Sequence, residues 1–138
     1  MRLELFGTRD ARLRAALGRV GRRVDERFAL GRGTVSVVFV DDHGIRALNH
    51  DWLGRDRPTD VLSFRLDAAG LFPQGRSQPG RVPLLGEIYV SRERAREQAR
   101  EQGVTVRAEL CRLVLHGLLH LAGLTHAQMR PYEREWNR

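Results

Sequence analysis

"VRAELCRLVLHGLLHLAGLTH", residues 106–126, decides how this chain is read. From Leu113 onward the segment is apolar nearly all round, the pattern of a helix packed on several sides rather than on one. A buried central helix over residues 106–124 is therefore expected. Yet the same segment carries His116, His120 and His126, three of the five histidines in the chain. Residues four apart in a helix are about 40° apart around the axis and one turn apart along it. His116 and His120 thus project side by side. Gly123 can take the left-handed conformation that ends a helix and turns the chain back, which lets His126 reach the same point.

H-x-x-x-H-x-x-G-x-x-H is thus a recipe for three imidazoles around one ion, each nitrogen about 2.0–2.1 Å from it and the fourth position open. An open position marks a catalytic zinc rather than a structural one. Nickel, copper and cobalt also accept neutral imidazole. The metzincin proteases share this spacing, but a glutamate follows their first histidine and serves as base. Gly117 stands there in this chain and has no side chain to take a proton, which counts against peptide hydrolysis by that route. His43 and His50 fall outside any ligand spacing and read as surface residues.

Around the central helix, strands and helices alternate. "LELF" and "TVSVVFV" (34–40) read as strands, as do "VLSF" (61–64) and "LLGEIYVS" (84–91). Leu13, Leu17, Val20, Val24 and Phe28 recur at helical spacing, with arginines on the opposite face. Residues 41–53 predict a helix with Ile45, Leu48 and Trp52 inward. Ser91 is placed to cap a charged helix ending near Gly103. Residues 67–83 are a Gly- and Pro-rich loop, and the tail "MRPYEREWNR" is expected to make one or two loose turns. The expected class is α+β: a single mixed sheet of about four strands, packed with helices, in one domain over residues 1–138.

The chain has 138 residues, enough to bury a core without disulfides or a metal. Its single cysteine, Cys111, forbids an internal disulfide. No apolar run is long enough to span a bilayer and no signal peptide is visible, so a cytoplasmic location is expected. Net charge is +7, and all 24 basic residues are arginine. A small, strongly basic domain attracts polyanions, and guanidinium groups pair bidentately with phosphate. Charge alone reaches no further than nucleic acid as a candidate partner.

"HGLLHLAGLTH" (116–126), "LNHDWLGRDRPTDVLSF" (48–64) and "LGEIYVSRERAREQA" (85–99) occur in the order found in the YbeY family of endoribonucleases and rRNA maturation factors, and the chain resembles that family over roughly residues 35–126. The resemblance implies a metal held by His116, His120 and His126, cleavage of single-stranded RNA, and a role in small-subunit ribosomal RNA processing and ribosome quality control. It also implies contacts with the ribosomal small subunit or assembly proteins. Three positions depart from the family pattern. Leu53 stands where the family has an arginine, Leu124 where tyrosine is common and Thr125 where aspartate is common. Arg55 and Arg57, in the adjacent loop, are then the candidates for binding RNA phosphate and assisting catalysis.

Cleaving RNA requires a nucleophile, charge neutralisation at phosphorus and help for the leaving oxygen. Zinc on three histidines, His116 among them, supplies a Lewis acid and a low-pKa water, and arginines can hold the phosphodiester. The nucleophile is either the metal's hydroxide or the RNA 2′-hydroxyl. Glu87 can orient a ligand or be an ordinary strand residue. Asp60 is expected to fix its loop, and Glu109 to form a surface ion pair. The rival reading is a non-catalytic RNA-binding or ribosome-assembly factor whose metal only ties down the C-terminal turn; a zinc metalloprotease ranks third.

Overall fold

The computed structural model describes residues 1–53, 60–65 and 84–136, excluding the side chains of residues 52 and 53. In chain order the elements are β1 (Arg2–Phe6), α1 (Ala11–Phe28), β2 (Thr34–Val40), α2 (Asp42–Leu53), β3 (Val61–Arg65), β4 (Leu84–Ser91), α3 (Arg92–Gln102), α4 (Val106–Leu121) and α5 (His126–Trp136). The four strands form one sheet in the order β1-β2-β4-β3. β1, β2 and β4 run parallel and β3 is antiparallel to β4. The α+β class and the four-stranded mixed sheet agree with the sequence reading.

Local chemistry sets the helix ends. The Asp10 carboxylate caps α1 by accepting from the backbone N–H groups of Arg12 and Leu13, donors that otherwise have no intrahelical partner. Ser91 caps α3 through the Arg94 N–H, and Gly103 ends it in the left-handed region, at φ 66°. Thr105 caps α4 through the Ala108 N–H.

Strand register sorts the sheet into two faces. Leu3 pairs with Val35, Leu5 with Val37, Val37 with Ile88 and Phe39 with Val90. These apolar residues face α1 and α4. Two glycines let α4 lie close on β4: a Cβ at Gly117 would meet the Ile88 side chain, and one at Gly86 would meet Leu121. The core between sheet and helices contains Leu13, Leu17, Val24, Leu113, Val114, Leu118 and Leu119, each 3% exposed or less. α4 is the buried central helix, touching α1, α3, α5, β3 and β4. It ends at Leu121, three residues before the expected boundary. In α2, Ile45 is buried and Leu48 half-buried, as expected; the inward Trp52 lies outside the described side chains.

The tail differs from expectation. In place of one or two loose turns, residues 126–136 form the eleven-residue helix α5. Pro131 sits inside it, a residue that removes a helical hydrogen bond and makes the segment look broken in sequence. Tertiary contacts outweigh that loss. Met129 is 1% exposed. Tyr132 and Trp136 stack edge-on against Phe28 of α1, with ring centroids 5.0 and 6.4 Å away.

Candidate metal centre

The junction between α4 and α5 brings the three histidines together. The N–H of Leu124 bonds the carbonyl of Leu119, and the N–H of Gly123 bonds that of His120. This 6→1, 5→2 pair is a Schellman motif, and it requires a left-handed residue after the helix. Gly123 supplies it, at φ 86°. Leu124, where the family commonly has tyrosine, packs against the core.

Thr125 then starts α5. Its hydroxyl accepts from the Gln128 N–H at 3.2 Å, and the Gln128 side chain accepts from the Thr125 N–H at 2.8 Å, a reciprocal capping box. Aspartate, the usual family residue here, is also a strong N-cap, so Thr125 keeps the helix start. His126 becomes the first residue of α5 and turns back toward α4.

One ring nitrogen from each of His116, His120 and His126 lies within 4.8 Å of the others. Nε2 of His120 and Nε2 of His126 are 3.2 Å apart. Two ligands at about 2.05 Å from one tetrahedral ion would be separated by about 3.3 Å, so this pair has the spacing of a shared ion. His116 is half-buried, while His120 and His126 are exposed, which leaves the outer side of the cluster open. Burial, then the neighbouring His116 and His126, push the pKa of His120 down, favouring the neutral imidazole that a metal requires.

The cluster has a fourth member that the motif does not contain. Nδ1 of His116 lies 2.7 Å from Oε1 of Glu133. A carboxylate only accepts, so Nδ1 carries the proton and Nε2 is left free to ligate. Glu133 lies seven residues after His126, two turns along the same face of α5. That spacing was available in the sequence, but it means nothing unless residues 126–136 are helical.

Arg55 and Arg57 lie outside the described residues, as does the side chain of Leu53. Asp60 accepts from Gln98 on α3 at 3.3 Å, and its carbonyl accepts from the Ser91 N–H. Both contacts anchor the start of β3; the loop that Asp60 was expected to fix lies outside the described residues. Glu109 corrects an expectation: it forms an ion pair, but not at the surface. It is 1% exposed and holds Arg112 bidentately at 2.6 and 2.8 Å. Glu87 lies on the sheet face opposite α4, because its neighbours Gly86 and Ile88 face that helix, and its carboxylate accepts from the Tyr89 hydroxyl. Gly117 also points at β4. A side chain there would begin against Ile88, so the position of the metzincin base is closed on steric grounds as well. His43 and His50 are exposed and outside the cluster.

Comparison with known proteins agrees with this architecture. The family described as Endoribonuclease YbeY matches residues 9–136. The chain belongs to the YbeY family. It is similar to Endoribonuclease YbeY from Anaeromyxobacter sp. (strain Fw109-5), 45% identical over 71% of this chain and 47% of that protein. The Geobacillus kaustophilus YbeY is 46% identical over 67% of this chain and 59% of its own. The Halalkalibacterium halodurans YbeY is 43% identical over 73% and 64%. The chain thus spans less than two-thirds of the length of these curated relatives. A solution structure of a Thermotoga maritima protein shares the fold at TM-score 0.63 and 29% identity, covering 98% of this chain and 86% of that one.

Proposed function

We propose that this YbeY-family chain is a metal-dependent, single-strand-specific endoribonuclease acting in the maturation of small-subunit ribosomal RNA and in ribosome quality control. The observation that carries the reading is the convergence of His116, His120 and His126, with ligand nitrogens within 4.8 Å of one another and an open outer side. These three side chains would hold the ion, and zinc suits the donor set; nickel or another divalent metal would also fit. When bound, such an ion supplies Lewis-acid polarisation of a phosphate oxygen and a water of low pKa.

The protein's own groups do the rest. Glu133 holds the Nδ1 proton of His116 and fixes the direction of Nε2. Arg55 and Arg57 supply cationic contacts to the phosphodiester and stabilise charge added at phosphorus. The glycine at 117 leaves this site without the base of a metzincin, which sets peptide hydrolysis aside. Residues 1–138 act as one domain. The substrate is single-stranded or ribosomal RNA, the setting is the cytoplasm, and the ribosomal small subunit or assembly proteins are the partners. Among the described residues no helix is long and apolar enough to cross a membrane.

Leu53, in place of the family arginine, favours one rival: an RNA-binding assembly factor that uses the metal only to fasten the α4–α5 turn. Incubating the zinc-loaded protein with a labelled single-stranded RNA, with and without chelator, separates the two. Chelator-sensitive cleavage that His120→Ala abolishes is the expected result. Tight RNA binding with no cleavage under any metal would establish the rival.

A further inference from the structure

Among the described residues, two grooves along α1 differ in charge. The one toward α5 is lined by Arg23, Arg27, Glu26 and Glu135, two cations and two anions. The one toward β1, about 340 Å³, is lined by Arg2, Arg14 and Arg22 and has no acid in its wall. Its apolar side comes from Leu3 and Leu5 of β1 and from Gly18 of α1, a shelf that the Arg22 side chain overhangs, with Nη1 3.8 Å from where a Cβ would stand. Among the described residues none of the three guanidinium groups has an acidic partner. The nearby Asp25 is engaged by the Met1 amine instead. Arg14 and Arg22 rise from α1 beside the apolar wall, while Arg2, which alternates with the inward Leu3, is rooted on the opposite face of β1 at the rim of the groove. Unpaired like charges around one concavity repel each other, and an anionic ligand would relieve that cost.

The position of the groove matters as much as its charge. Among the described residues β1 is an edge strand. Arg2 pairs in register with Thr34, and Thr34 with Leu84 at the start of β4. Gly86, two residues on, lies beneath Leu121 at the end of α4, next to the histidine cluster. Arg2 and the metal centre therefore share one end of the sheet, with β1 two strand spacings, about 10 Å, to the side of β4. Arg22 lies on the C-terminal half of α1, the half whose Phe28 touches α5.

We infer that this groove between β1 and α1 is a second RNA-binding site, which holds the backbone of a single strand some nucleotides away from the bond at the metal centre. Arg2, Arg14 and Arg22 take phosphate oxygens, and the Leu3–Leu5–Gly18 shelf takes the flat face of a sugar or base. The inference rests on RNA being the substrate of the site above. An acidic protein segment would match the charge but makes no use of the shallow apolar shelf.

The test is fluorescence anisotropy of a labelled single-stranded RNA against the zinc-loaded full chain, over a range of salt. The Arg2, Arg14 and Arg22→Gln triple variant is compared with an Arg96, Arg100 and Arg107→Gln triple, which removes equal charge from exposed positions outside the groove. The groove triple should bind about tenfold more weakly or worse, and its salt slope should fall by about two units, as for three lost phosphate contacts on a single strand. Arg22→Glu alone should weaken binding more than Arg22→Gln. Equal weakening by the two triples would overturn the inference. So would an unchanged salt slope for the groove triple. If the groove triple loses affinity while the parent chain never cleaves RNA under any metal, the catalytic reading falls and the groove stands.

Discussion

Nδ1 of His116 and Oε1 of Glu133 are 2.7 Å apart, joining the middle of α4 to the second turn of α5. This contact gives the histidine cluster its tautomer and ties the C-terminal helix to the metal centre. Losing such a partner from a metal-bound histidine commonly lowers metal affinity about 10–100-fold. Glu133→Ala should therefore weaken zinc binding by that factor, measured by competition with a chelating chromophore. Glu133→Gln, which keeps an acceptor oxygen but not the charge, should fall between it and the parent. Unchanged affinity in both variants would show that the contact does not support the ligand.

Gly117→Ala places a Cβ 2.9 Å from Cγ2 and 3.0 Å from Cδ1 of Ile88. Overpacking of this kind costs about 1–3 kcal/mol, against a gain of about 1 kcal/mol in helix propensity. A net loss of stability in urea denaturation is expected. Pairing the change with Ile88→Ala should recover part of the clash component, leaving the cavity cost of the smaller residue. An Ala variant as stable as the parent would mean the helix and β4 shift apart freely.

Glu109 is 1% exposed and bonded twice to Arg112. Glu109→Ala leaves the half-buried guanidinium without its carboxylate, a loss of about 1–3 kcal/mol. Replacing Arg112 as well should cost less than the sum of the single changes, because the carboxylate and the guanidinium are then removed together and neither charge is left without the other. Strict additivity in the denaturation midpoints would rule out coupling between them.

Burial, then the hydrogen bond and charge of Glu87, push the Tyr89 hydroxyl up to about 12 from its ordinary 10.0. The unfolded chain therefore releases this proton at lower pH than the folded one. The stabilisation is complete below pH 10 and is lost as pH rises toward 12. In a Tyr132→Phe background, phenolate absorbance should show Tyr89 titrating late, and Glu87→Gln should bring it back toward 10. Tyr89 titrating near 10 in the chain with Glu87 intact would contradict the Tyr89–Glu87 contact.

Much of the fold was legible because its signals are local. Alternation and β-branching marked all four strands, Ser91 and Gly103 marked the ends of α3, and the spacing of His116, Gly123 and His126 described a turn that the Schellman pair then makes. α5 was missed because Pro131 argues against a helix locally, whereas the contacts that support it come from Phe28, about a hundred residues earlier in the chain. Glu133 was missed with it. Glu109 was read as a surface residue because its charge says nothing about the burial that the packing of its own helix, α4, gives it.

By itself the sequence determined the identity of the three imidazoles and the turn that converges them, since both depend on residues within eleven positions, where helix geometry alone fixes direction. Only the tertiary structure decided which carboxylate holds His116, which way Gly117 faces and which three arginines line one groove. Those relations join elements distant in the chain, and their positions follow from how the core packs rather than from any local preference.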